Sequence, residues 1–369
     1  MSSLRIAIDI RPLAEGPSGV ATYLRNLVPL MLASSTAHEF FLAFDASRPP
    51  DILDTWTRAG AVPLPVASAP EVAWEQWRLP LALRRGNVRV FHRASGAGGL
   101  ALRRLAGSRV VVTVHDAIPL KYREDYLRNA AHRAFFAFQM SLSRRADAVI
   151  TVSETSKRDL VSIGRFAPSK IAIIGEGVDR DFLSAAPGGT PAGGPPYLLA
   201  MGAGEPRKNV ARVIEGFLRV ADRIDHRLVL VGAPWRGRRA EIPSSAAGRI
   251  QDLGPVTNAQ LRELYRGAAA FIYPSLYEGF GLPVLEAMAS GTPVVTSREG
   301  SLEEIAGPAA LYVDPRDASA IGDAILEVVT DPVRRTALVA AGQARVHLFS
   351  WETAARQTIE VYERVAASG

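Results

Sequence analysis

The sequence predicts an α/β protein of two doubly wound, parallel-sheet domains. Three observations predict it. Short, nearly all-apolar runs alternate with amphipathic stretches of helical period, the pattern of parallel strands buried on both faces. The alternation starts twice, at "LRIAIDI" (4–10) and at "YLLAMGAG" (197–204), and each run leads through a loop into a helical pattern. Between the restarts lies "SAAPGGTPAGGPP" (184–196), almost all small residues, glycine and proline, which reads as a linker.

The elements follow in order. After 4–10, "VATYLRNLVPLML" reads as a helix. Strand candidates are then Phe40–Phe44, Val88–Phe91, Val110–Val114, Ala148–Val152 and Ile171–Ile174. After 197–204, "NVARVIEGFLRVADRI" reads as a helix, and the strand candidates are Leu228–Val231, Ala270–Tyr273, Pro293–Thr296 and Ala310–Val313. Ser350 suits the N-cap of the last helix, and Glu352 complements its dipole. The domains are therefore expected at 1–186 and 197–349, joined by 187–196. In open α/β sheets ligands sit beyond the carboxyl ends of the strands, so the chemistry is expected in the loops there.

Composition narrows the class. With no cysteine among 369 residues, disulfides and thiolate metal sites are excluded, and a reducing compartment fits. The N-terminus lacks a signal-peptide pattern, and no run approaches the roughly 18–20 apolar residues of a membrane helix. A cytoplasmic protein, soluble or peripheral, is expected. Residues 1–184 carry 24 Lys/Arg against 17 Asp/Glu, whereas the remainder carries 19 against 20. This basic excess either attracts an anionic partner such as a bilayer surface or reflects arginine usage alone, since the chain has only four lysines. No dense basic run interleaved with aromatics speaks for nucleic acid.

The most informative stretch is "YEGFGLPVLEAMASGTPVV" (277–295). Gly279 and Gly281 lie in a loop, Pro283 suits the first helical position, and Gly291 suits the left-handed position after the helix. Glu278 is then in the loop and Glu286 about one turn into the helix. A helix start with close-approaching glycines is an anion site, most naturally for phosphate. The two glutamates would accept hydroxyls on either side, a sugar on one and a ribose on the other, one turn being about 5.4 Å. The alternative is that Glu278 caps the helix and Glu286 is merely buried or paired. Arg207 and Lys208, in "GEPRKN", read as starting a helix where they oppose its dipole, which an anionic ligand would explain. In the first half His115 ("VVTVHDAIP") lies just past a strand, His92 after "VRVF" is its rival, and Gly19 ("GPSGVATY") follows strand one. Asp179 and Asp181 form a D-x-D, too short to argue for a metal. "SGAGG" (95–99) lacks the dinucleotide context, and no P-loop occurs. The remaining histidines read as surface or packing residues. Trp74 and Trp77, in "VAWEQWRLP", line an acceptor groove, touch membrane, or pack.

Together these residues resemble the retaining glycosyltransferases of family 4, which have the GT-B fold of two Rossmann-like domains facing a cleft. The family's E-x7-E motif matches Glu278 to Glu286. "EPRKN", "TVHD", "TVSETSKRDL", "GVDRDF" and "FSWETAA" also look like family segments, so the resemblance spans nearly the whole chain. It looks like the bacterial branch that builds surface polysaccharides and lipid-linked sugars. The resemblance implies a nucleotide-diphospho-sugar donor on the second domain, a glycan or lipid-linked acceptor on the first, and a final helix (about 350–369) that crosses back to the first. It implies that Glu286 binds the ribose and Glu278 the sugar hydroxyls. Backbone N–H groups of Phe280, Gly281 and Leu282 would hold sugar and phosphate. Arg207 and Lys208 would neutralise the departing diphosphate, Gly19 would admit it, and His115 would meet the donor sugar. Many members carry an arginine where Ala203 stands here. No cofactor or metal is expected, and no carboxylate is placed as a glycosidase-like nucleophile. A nucleotide-sugar epimerase, a phosphorylase and a non-catalytic binding subunit remain as other classes.

Overall fold

The computed structural model describes residues 3–16, 18–34, 37–95, 107–183, 195–202, 204–246 and 248–368. The chain divides into two compact units, 1–177 together with 350–369, and 178–349.

The first unit holds a seven-stranded parallel sheet of order β3-β2-β1-β4-β5-β6-β7. Its strands are β1 (Arg5–Asp9), β2 (Glu39–Asp45), β3 (Val62–Val66), β4 (Val90–Arg93), β5 (Arg109–Thr113), β6 (Ala148–Thr151) and β7 (Ile171–Ile173). Alternation along β1 sends Ile6 and Ile8 to one face and Ala7 to the other, and each face is covered. On the Ile6 face lie the helix Gly19–Ser34 and the helix Trp351–Ala367, whose Trp351, Ile359 and Tyr362 enter the same core. Ser350 caps the latter, its Oγ accepting from Thr353 N at 3.3 Å and donating to Glu352 at 2.7 Å.

The second unit repeats the plan. β8 (Tyr197–Met201), β9 (Arg227–Val231), β10 (Ile250–Asp252), β11 (Ala270–Tyr273), β12 (Val294–Ser297) and β13 (Ala310–Val313) form a parallel sheet of order β10-β9-β8-β11-β12-β13. In both sheets the first strand lies between the second and the fourth of its unit, so each has a topological switch point, beside β1 and β4 or beside β8 and β11.

Two strands were not foreseen, β3 and β10, and each is an edge of its sheet. The cations of "GEPRKN" also differ from expectation. Arg207 and Lys208 lie in a single 3-10 turn, Pro206–Lys208, cut off from the helix Val210–Val220 by Asn209 at φ +61°. The Asn209 amide donates to Pro274 O at 3.0 Å and to Pro315 O at 2.6 Å, which fixes that break. The linker residues 184–194, Ala203 and 96–99 of "SGAGG" lie outside the described residues.

Candidate active site

At the switch point of the second sheet, the loops after β8 and β11 meet. Gly202 follows β8 at φ +99°, and a Cβ there would lie 2.4 Å from Lys208 Cγ, so only glycine lets the lysine stem pass. Leu276 N donates to Arg207 O at 2.8 Å and ties the second loop to the first. Gly300 and Ser301 support it from below: Ser301 N donates to Glu278 O at 3.1 Å, and Ser301 Oγ to Phe280 O at 2.6 Å.

This scaffold aims Glu278 inward, 6% exposed. Its Oε1 accepts from Lys208 Nζ at 2.9 Å, Tyr273 Oη at 2.8 Å and Ser275 Oγ at 2.8 Å. Its Oε2 faces Arg207 Nη1 at 2.7 Å. Four donors thus meet the roughly four lone-pair sites of a carboxylate. Burial pushes the carboxyl up, but the Lys208 and Arg207 charges outweigh it and hold the group down at about 2. Tyr273 is pushed well up, by burial first and then by the Glu278 charge. Arg207 is itself buried, with Nε and Nη2 donating to Glu205 Oε1 at 3.1 and 2.9 Å. Lys208 also donates to Tyr273 Oη. An ammonium has three N–H donors, so one is left for an incoming acceptor.

Gly281, at φ +112°, is the N-cap of the helix Leu282–Ala289 and makes no side-chain cap. The N–H groups of Phe280, Gly281 and Leu282 have no partner among the described residues. Pro283 falls at the second helical position, and Gly291 after the helix has φ +74°. Glu286 is half-buried, its Oε2 accepting from Tyr265 Oη at 3.3 Å. Burial and the Glu286 charge push Tyr265 well up.

The first unit carries a cavity of about 710 Å³ at its own switch point, lined by Asp9 at the end of β1, Arg11 just after it, Arg93 at the end of β4, and His115 after β5. His115 is held at both nitrogens, Nδ1 3.1 Å from Glu176 Oε1 and Nε2 3.0 Å from Ala94 O. Both partners accept, so the ring suits its doubly protonated form. Burial lowers its pKa, but the Glu176 hydrogen bond and charge raise it overall. Gly19 is the first residue of its helix, and a Cβ there would meet nothing within 4 Å.

His92 is fully buried between Tyr362 Oη (2.6 Å) and Thr113 Oγ1 (2.8 Å). Burial lowers its pKa to about 3, so it stays neutral. Asp179 Oδ1 accepts from Asp181 N at 3.0 Å, and Asp181 pairs with Arg262 at 3.0 Å. Trp74 and Trp77 part company, at 1% and 71% exposed.

Sequence reasoning missed the partners: Tyr273, Ser275 and Glu205 for the second-unit site, and Glu176 for His115. A signal existed for two of them. Tyr273 and Ser275 are two apart along an extended run, hence on one side.

A family model described as glycosyl transferases group 1 matches residues 195–331. Another, described as glycosyltransferase family 4, matches residues 17–182. The O-antigen chain mannosyltransferase B of Escherichia coli is 32% identical over 69% of this chain and 70% of its own length. An MMP α-(1→4)-mannosyltransferase of Mycolicibacterium hassiacum is 30% identical over 86% of this chain and 79% of its own. Among solved structures, sucrose-phosphate synthase of Thermosynechococcus elongatus superposes with a TM-score of 0.75 at 21% identity, covering 100% of both chains. Anabaena HepE in complex with UDP and glucose gives 0.72 at 16% identity, covering 97% of this chain and 98% of that one. With two parallel, doubly wound sheets carrying these matches, the chain belongs to the family 4 glycosyltransferases and is a GT-B glycosyltransferase.

Proposed function

We propose that this enzyme moves a mannose-like hexose from a nucleotide-diphospho-sugar to a hydroxyl of a glycan or lipid-linked acceptor, with retention at the sugar and without a metal. The observation that carries the reading is that the N–H groups of Phe280, Gly281 and Leu282 have no partner among the described residues, in the loop whose Glu278 also holds Lys208. Such a preorganised set of positive groups suits a departing diphosphate. The named mannosyltransferase activities of the two relatives support the hexose.

In this reading Lys208 faces the diphosphate. Arg207, committed to Glu205 and Glu278, acts by holding Glu278 and by its charge. Gly279 and Gly281 let the backbone approach, and Glu286 takes the ribose. A sugar hydroxyl reaching Glu278 replaces a neutral donor, Ser275 or Tyr273. Gly19 fits the same picture, because none of the described residues fills the space beside it. His115 meets the donor sugar as a cation. The acceptor hydroxyl attacks from the face the diphosphate leaves, and the leaving oxygen takes its proton. We further propose work at the cytoplasmic face of the plasma membrane, touching anionic lipid through the basic first unit.

The test is transfer measured in EDTA with product anomers read by NMR, beside a thermal-shift panel of GDP, UDP, ADP and dTDP. One nucleotide should stabilise the protein above the others, the product should keep the donor configuration, and Lys208→Ala should lose at least about 100-fold in rate, the scale of one transition-state donor. Near-wild-type turnover by Lys208→Ala would sink the assignment.

A further inference from the structure

We propose that the first-unit cavity binds a neutral, hydroxyl-rich sugar ring and discriminates against a phosphorylated one. The inference rests on the glycosyltransferase reading, with this ring as the acceptor terminus. The cavity, at about 710 Å³, falls in the ~300–1,000 Å³ range of small-molecule sites. Its lining holds five carboxylates, Asp9, Glu15, Asp45, Glu71 and Asp116, against three guanidiniums, Arg11, Arg48 and Arg93, and the His115 ring.

The buried cations are already matched. Arg11 donates to Asp9 Oδ1 at 3.0 Å and Oδ2 at 2.6 Å, reaches Glu75 at 3.4 Å, and lies 3.6 Å over the Trp74 ring. Arg93, 6% exposed in its side chain, pairs with Glu75 and stands 3.9 Å from Glu71. Arg48 is exposed beside Asp45, and His115 is paired with Glu176. A phosphate reaching past the exposed Arg48 to the buried floor of the cavity would have to draw Arg11 or Arg93 off a buried carboxylate, and an uncompensated buried charge is costly. It would also meet the exposed carboxylates Glu15 and Glu71.

Sugar hydroxyls face the opposite situation. They can donate to the exposed carboxylates Glu15 and Glu71, and the lining adds the Ser18 and Ser95 hydroxyls and the Gln139 amide. Phe136, Pro12 and Met140 supply apolar surface for the C–H face of a ring. The basic excess of the first half therefore lies outside this cavity.

The experiment uses the full chain with its best nucleoside diphosphate bound. Saturation-transfer NMR compares methyl α-mannopyranoside with mannose 6-phosphate for wild type, Glu71→Gln and Glu71→Arg. The neutral sugar should bind at least tenfold more tightly than the phosphate. Glu71→Gln should weaken the neutral sugar several-fold, and Glu71→Arg should shrink or invert the preference. Glu71 is half-exposed, so neither change threatens the fold. Equal or tighter binding of mannose 6-phosphate, no binding of either sugar, or a ratio unmoved in Glu71→Arg would overturn the proposal. Absence of any nucleotide-induced thermal shift would instead count against the transferase reading, which separates the two failures.

Discussion

At the scale of single residues, the site turns on one carboxylate surrounded by donors. The spacing of Glu278 and Glu286 was legible, and so was a helix start between them. What could not be read is that Glu278 is saturated by its own protein, because Arg207, Lys208, Tyr273 and Ser275 converge only once β8 and β11 lie side by side. The folded-state pKa of Glu278 is depressed to about 2, so its stabilisation is present above the unfolded value of 4.5 and is lost as pH falls through about 2. Glu278→Gln leaves Lys208 without its counter-charge and Arg207 with Glu205 alone, a loss of about 3–5 kcal/mol for a broken buried pair. Denaturant unfolding of both proteins from pH 7 to pH 3 should show the gap widest at pH 7 and narrowing below pH 4.5. A gap constant across that range would refute the electrostatic account.

At the scale of elements, nine strand candidates and both opening strands were legible from apolar runs, since buried parallel strands need no alternation. The two that escaped, β3 and β10, are edges. β3 carries Pro63 and Pro65, tolerated only where a ladder donor is not needed, and β10 has three residues. The loop supporting Glu278 has its own sensitive point. Gly300 sits at φ +65°, and a Cβ would lie 2.5 Å from Glu278 O. Gly300→Ala should therefore displace the Glu278 loop and cut transfer at least tenfold, while the Tm falls by only a few degrees. Steady-state kinetics with a melting curve check this, and unchanged kinetics would show that the loop yields without cost.

At the scale of the whole molecule, charge and connectivity matter most. The paired cavity leaves the basic excess to the outer surface of the first unit, where Arg78, Arg84, Arg128 and Arg133 are exposed, as are Trp77, Leu81 and Phe138. Sedimentation with vesicles should capture the protein on anionic but not on zwitterionic lipid, with binding lost at high salt and weakened several-fold by Trp77→Ser. Equal capture by both lipids would refute it. Among the described residues no helix is long and apolar enough to cross a membrane. The connectivity has a different consequence, in time rather than space. The first core is closed by Trp351, Ile359 and Tyr362, which leave the ribosome after both 1–177 and 178–349. The unit begun first is thus completed last, and the second can fold while Ile6, Leu24 and Tyr23 still wait for the helix that covers them.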